Sequence, residues 1–167
     1  MRLQAGWLNN AGIGTQGTIE DTTEAMFDEI VAVNMKAPFF IIQQALPRIR
    51  DEGRIINISS AETRIALPGS IAYGMTKGAL NTLTLPLAKH LGTRGITLNT
   101  ILPGYTETDL NAELLKKPEI RNFAIGLTSL NRLGHVSDIA DAAVFFASPD
   151  SRWVTAQVID VSGGLRL

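Results

Sequence analysis

Tyr73 and Lys77 stand four residues apart in a stretch of helical pattern, so both side chains fall on one helix face. A phenol with its ordinary pKa of about 10 is a poor acid–base group at neutral pH. A nearby ammonium favours the phenolate and lowers that pKa, and the positive end of a helix acts in the same sense. A tyrosine so placed can pass a proton to or from an oxygen, as interconversion of a carbonyl and an alcohol requires. Ser60, thirteen positions before Tyr73, closes an apolar run. A hydroxyl there can hydrogen-bond a substrate oxygen while the phenol moves the proton. Taken singly, each signal has a plainer reading: a solvated Tyr–Lys pair, and a strand-end serine capping a turn.

Asn34 sits in the middle of a long helical pattern, an awkward place for a residue that prefers caps. Pro38 follows four residues later. Proline has no N–H, and its ring crowds the carbonyl four residues back, here that of Asn34. The Asn34 carbonyl must find another donor, such as an ordered water. The plain reading is a kinked helix; the functional one is a helix opened to hold a water.

The elements that would position these residues alternate between short β-like runs and longer helical ones. Gly6-Trp7-Leu8 is a short strand candidate, and Gly12, Gly14 and Gly17 mark the loop after it. Asp21 to Glu24 supplies helix-capping chemistry, and the helical spacing runs on to about Arg50. Arg54 to Ser59 reads as a buried strand. A second long helix runs from about Ala72 to Leu91, stopped by Gly92 and Gly95. Ile96 to Leu102 is the next strand. Asp109 to Leu130 is mixed, with a short helix. Ser137 is expected to cap a helix through Ala147, and Gln157 to Val161 forms the last strand. Strands alternating with helices predict βαβ units, a parallel sheet, and working residues at the carboxyl ends of the strands.

Composition narrows the class. In 167 residues, 15 Lys and Arg balance 16 Asp and Glu for a formal charge of −1, so no basic excess exists to hold nucleic acid. No cysteine is present, which removes disulfides, thiol catalysis and Cys-ligated zinc. His90 and His135 fall outside any metal-ligand spacing. The most apolar stretch, Ala37 to Leu46, is too short to span a membrane, and the N-terminus has no secretory pattern. The expected location is cytoplasmic, and the expected organisation is one domain over residues 1–167.

The motifs, in order, are Asn9-Asn10-Ala11-Gly12, Asn34, Ile56-Asn57-Ile58-Ser59-Ser60, Tyr73-Gly74-Met75-Thr76-Lys77, Asn99, Pro103-Gly104-Tyr105-Thr106-Glu107-Thr108 and Val161-Ser162-Gly163-Gly164. Their order and spacing resemble the short-chain dehydrogenase/reductase family over essentially the whole chain, in the single-domain type that includes the 3-oxoacyl-carrier-protein reductases. The resemblance implies an α/β fold, a Rossmann-like parallel sheet with flanking helices. It implies an NAD(P)-dependent oxidoreductase acting on a small-molecule carbonyl or secondary alcohol, with NAD or NADP as cofactor. Tyr73 would be the general acid/base. Lys77 would lower its pKa and bind the nicotinamide ribose. Ser60 would orient the substrate oxygen, and Asn34 would hold, by its main-chain carbonyl, the water that links Lys77 to solvent. Asn10, Ala11 and Gly12 would line the adenosine side. Pro103, Gly104, Thr106 and Thr108 would lie against the nicotinamide and its phosphates. The segment from Thr108 to Leu130 would be a substrate-covering flap, made apolar by Leu110, Leu114, Leu115, Phe123 and Leu127. The two long helices would form a homo-oligomer interface.

The sequence also departs from that family. No Thr-Gly-x-x-x-Gly-x-Gly loop, which in the family cradles the pyrophosphate, precedes Asn9, and the residue that selects NAD or NADP belongs to the same absent part of the family pattern. Four parallel strands are expected, the first left as an edge. Gln4-Ala5-Gly6 is a poor strand former. Pro86 falls inside the second long helix, and Ala156 replaces a usual glycine. The competing expectation is therefore a non-catalytic truncated remnant, or a mis-started fragment, that acts through self-association. A nucleic-acid or membrane module is the third and weakest reading.

Overall fold

The computed structural model describes residues 6–109 and 111–166. Gln4, Ala5 and Leu110, named above, lie outside the described residues. Four strands form one sheet in the order β1 (Gly6–Asn9), β2 (Arg54–Ile58), β3 (Thr97–Pro103) and β4 (Val158–Val161). Every pairing is parallel. Sequential strands lying side by side in parallel require a crossover between each pair. The first crossover is the helical stretch α1 (Glu24–Val31), a π-helical segment (Ala32–Lys36) and α2 (Ala37–Ala45). The second is α3 (Ile71–Leu91). The third holds α4 (Ala112–Leu115), α5 (Pro118–Gly126) and α6 (Val136–Ala147).

The alternation of side chains along the strands divides the core between two faces. Ile55 and Leu98, which are register partners, pack with Ile42, Ala45, Ala88 and Leu91 of α2 and α3. Their neighbours Ile56 and Ile101 pack with Phe146 of α6 on the other face. Ile55, Leu98 and Ile101 are fully buried. Each such side chain contributes about 2–3 kcal/mol by leaving water. With helices on both faces, β2 and β3 are buried up to their last, half-buried residues Ile58 and Pro103, and β1 is an edge strand with Leu8 exposed.

Two sequence expectations shift, and a third is accommodated in place. The first helical stretch ends at Ala45, not Arg50, and it is split by the π-helical turn. There the Ala37 N–H bonds the Ala32 carbonyl, five residues back. Pro38, at the start of α2, supplies no N–H and forces the wider turn. Pro86 is carried inside an unbroken α3. Thr82, whose carbonyl it disables, is exposed, so water can take that carbonyl. Finally, α6 is capped by His135 and not Ser137: the Asp138 carboxylate accepts the His135 N–H at 2.7 Å, and Ser137 lies in the first turn.

Candidate active site

The polar residues gather where β1, β2 and β3 end. β2 delivers Ile58, Ser59 and Ser60 to the flank of α3. The Lys77 ammonium donates to the Ile58 carbonyl at 3.0 Å, and the Ser59 hydroxyl donates to the Lys77 carbonyl at 2.9 Å. These two bonds fix the strand end against the helix at one register. Lys77 Nζ lies 5.7 Å from the centre of the Tyr73 ring, so the i, i+4 spacing does bring the pair together. Lys77 is nearly fully buried, and burial lowers its pKa to about 8.

The Tyr73 phenol is held above its ordinary range, opposite to what a neighbouring ammonium alone would give. Burial is the main cause; a bond with the Ser60 hydroxyl acts against it, and the Glu62 carboxylate adds to it. The sequence shows the ammonium but not the depth at which the phenol lies.

Asn34 is fully buried and lies in the π-helical turn. Its Oδ1 accepts the Ile13 N–H at 2.9 Å, and its Nδ2 donates to the Ile13 carbonyl at 2.8 Å and the Thr76 hydroxyl at 3.3 Å. Thr76 in turn donates to the Tyr73 carbonyl at 2.8 Å. The side chain thus links the loop after β1 to the helix that carries Tyr73 and Lys77. Gly12 in that loop faces them directly. A Cβ there would come within 3.1 Å of Lys77 Nζ and 3.3 Å of Asn34 Oδ1, so a side chain at this position would crowd both groups. Asn10 and Ala11 are exposed beside it.

At the end of β3, Pro103 pairs with Val161, and the next residue, Gly104, presses on Ser162. Thr106 is buried and donates to the Gly104 carbonyl at 3.1 Å; Thr108 is exposed and donates to Asn111 at 3.2 Å. Both hydroxyls are thus engaged within their own loop. A cleft of about 280 Å³ opens between this loop and the start of α6, lined by Gly104, Tyr105, Thr106, Arg132 and Ser162 among others. A second hollow of about 370 Å³ lies along the head of α3, beside Glu62, Ser70 and Gly74. Neither is lined by Tyr73 or Lys77. The expected flap contains α4 and α5, with Leu115 buried and Phe123 exposed.

The sequence reading does not name Glu62, and it assigns no role to Thr76 or to the pair of Asn9 and Asn57. Asn9 Nδ2 donates to Asn57 Oδ1 at 2.8 Å across the first two strands. Glu62 lies two residues after Ser60, and that proximity was the available signal. Among the described residues, no cluster of His, Asp and Glu could hold a metal ion, and no helix is long and apolar enough to cross a membrane.

Residues 5–166 match the family described as enoyl-(acyl carrier protein) reductase. An uncharacterised oxidoreductase of Methylorubrum extorquens is 38% identical over 160 residues, which are 95% of this chain and 64% of the relative. A gluconate 5-dehydrogenase of Gluconobacter oxydans is 34% identical, covering 95% of this chain and 62% of its own length. Among solved structures, the angucycline C-6 ketoreductase LanV with bound NADP is 45% identical, with a TM-score of 0.92 over 97% of this chain and 62% of LanV. The reductase LugOII is 43% identical, with a TM-score of 0.93 over 98% of this chain and 64% of its own. The chain therefore spans under two thirds of the length of these relatives. By the match along nearly its whole length and by the parallel sheet beneath it, the chain belongs to the short-chain dehydrogenase/reductase family.

Proposed function

We propose that this chain carries the proton-transfer half of an NAD(P)-dependent carbonyl reductase or alcohol dehydrogenase, within a single Rossmann-type domain. The observation that carries the reading is the Lys77 ammonium 5.7 Å from the Tyr73 ring, at the strand end that also presents Ser60. Tyr73 donates its hydroxyl proton to the oxygen of a ketone as that oxygen gains charge. Ser60 hydrogen-bonds the same oxygen and holds it in line. Lys77, with a pKa of about 8, exchanges protons readily near neutrality and replenishes the phenol. Asn34 holds, on its main-chain carbonyl, a water that connects Lys77 to solvent. Run in the other direction, the same groups take the proton from a secondary alcohol.

The residues present fit the nicotinamide side of a dinucleotide. Gly12 keeps open a space that a Cβ would close, against Lys77 and Asn34. An ammonium has three hydrogens, and the bond to Ile58 uses one, which leaves others for ribose hydroxyls. Asn10, Ala11 and Gly12 would line the adenosine side, Tyr73 and Lys77 the ribose, and Pro103, Gly104, Thr106 and Thr108 the nicotinamide and its phosphates. When bound, the reduced cofactor supplies hydride to the carbonyl carbon. A structural neighbour solved with NADPH, a metagenomic blue fluorescent protein 37% identical to this chain, supports NAD or NADP as the class. The ketoreductases among the neighbours support a ketone as substrate.

Self-association through the long helices fits the exposed Phe39, Phe40 and Ile41 on α2 and Met75 and Leu85 on α3. A fluorescence titration of the purified chain with NADH and with NADPH, run beside a Tyr73→Phe control for ketone turnover, tests the reading. Saturable binding with turnover that Tyr73→Phe abolishes supports it. A folded chain with no binding at millimolar cofactor would support the remnant reading.

A further inference from the structure

Glu62 has no part in the mechanism above, yet it bonds the Ser60 hydroxyl and the residue that opens the helix carrying Tyr73. The turn after Ser60 is the 3₁₀ segment Ala61–Arg64. Ser60 Oγ accepts the Glu62 N–H at 3.2 Å, and the Thr63 hydroxyl donates to the Ser60 carbonyl at 2.8 Å. The first bond occupies a lone pair of the Ser60 hydroxyl and leaves its hydrogen to donate. From the same turn the Glu62 carboxylate crosses to α3, where Ser70 Oγ donates to Oε2 at 2.9 Å. Ser70 caps α3, and its carbonyl accepts the Gly74 N–H at 2.9 Å, closing the turn that holds Tyr73.

We propose that Glu62 is a positioning residue for the Ser60–Tyr73 pair: its carboxylate ties the turn that presents Ser60 to the head of the helix that presents Tyr73, and so fixes the separation of the two hydroxyls. The proposal rests on the reading of Tyr73 as the proton donor. A second consequence follows from charge. The Glu62 charge opposes ionisation of both phenols, Tyr73 and Tyr105. Of the charged groups, the Glu62 carboxylate from the turn after β2 acts on the Tyr73 phenol, and the Lys77 ammonium of α3 lies 5.7 Å from its ring centre. Glu62 itself is raised by burial, with the Ser70 bond acting against the rise.

The chain contains only two tyrosines, Tyr73 and Tyr105, so a Tyr105→Phe background leaves Tyr73 as the sole phenol. Ultraviolet absorbance of the tyrosinate then reads its ionisation directly, in a chain that need not turn over. In that background Glu62→Gln keeps an acceptor for Ser70 and removes the charge. The midpoint of the Tyr73 titration is expected to fall by about half a pH unit or more. An unchanged midpoint overturns the charge effect on Tyr73, and the tie between the turn and α3 then stands or falls on hydrogen exchange.

The clasp is read separately by amide hydrogen exchange at the head of α3. Glu62→Ala and Ser70→Ala should each speed exchange at Gly74, and the double variant should add little to either one. Unchanged exchange in Glu62→Ala, or in Ser70→Ala should the former not fold, overturns the proposal. Retained turnover in Tyr73→Phe would instead overturn the assignment of the proton donor, and it leaves both of these measurements intact.

Discussion

Asn34 grips both backbone polar groups of Ile13, taking its N–H at 2.9 Å and giving to its carbonyl at 2.8 Å. A fully buried amide on a helix thereby serves as the partner that the loop after β1 lacks. Asn34→Ala removes both bonds and the one to Thr76 at once. Loss of about 2 kcal/mol in urea unfolding is expected, because two backbone groups lose their partner in a poorly solvated place. Asn34→Asp should cost more at neutral pH, since it loses the donor to Ile13 and buries a charge. A chain with Asn34→Ala as stable as the parent would show that water replaces the amide.

Lys77 is the buried cation of the site, and its lowered pKa makes stability depend on pH. The folded value is about 8 against an ordinary 10.5. Between these values the unfolded chain binds more protons than the folded one, so stability rises with pH through that window. Below about pH 8 the whole cost of burying the charge is present; above 10.5 it is gone. Lys77→Met should flatten this rise, and at pH 7 it should be more stable than the parent by roughly 1–3 kcal/mol while losing all turnover. Denaturant unfolding of both chains from pH 7 to 9.5, below the range of the tyrosines, measures the difference.

Gly104 fixes how closely the end of β3 can approach β4. A Cβ there would stand 2.7 Å from Ser162 Cβ, 2.8 Å from its Cα and 2.9 Å from its carbonyl oxygen. Two of those atoms are backbone, so no rotamer change relieves the clash. Gly104→Ala should cost about 2–3 kcal/mol and displace the Pro103–Thr108 segment. Gly14, with nothing within 4 Å, is the control: Gly14→Ala should leave the melting temperature within about a degree.

The features legible in the sequence were those with a local signature. Asn34 and Pro38 together spelled out a disturbed helix, and the π-helical turn lies there. The spacing of Tyr73 and Lys77 put them on one face, and the polar clusters at Asn10, Ser60 and Pro103 marked strand ends. Contacts between distant segments left no such trace. The grip of Asn34 on Ile13 spans 21 positions, and nothing in either residue type announces it. Burial was equally hidden. Tyr73 looked like a phenol beside an ammonium, and its depth decides the direction of its pKa instead. Ser137 has the better capping side chain for α6, but the Asp138 carboxylate reaches back to His135 and places the cap two residues earlier.

Ala156 was readable only as a departure from a family pattern, and its backbone supplies the physics. Its φ is +61°, in the left-handed region where a Cβ crowds the following carbonyl at a cost of about 1–2 kcal/mol. The chain accepts the strain because the Ala156 N–H bonds the Leu98 carbonyl at 2.8 Å and its methyl packs on the core cluster of Ile55 and Leu98. Glycine would relieve the strain, lose about one methyl of burial and add freedom to the unfolded chain. The first term is the largest of the three, and the gain from it is partly offset by the other two. Ala156→Gly should therefore stabilise by up to about 1 kcal/mol. Ala156→Val, which adds a branched Cβ in the same conformation, should destabilise by at least 1 kcal/mol. Urea midpoints for the three chains test the pair of signs. If Gly and Val both destabilised, packing of the methyl, and not the backbone angle, would govern the position.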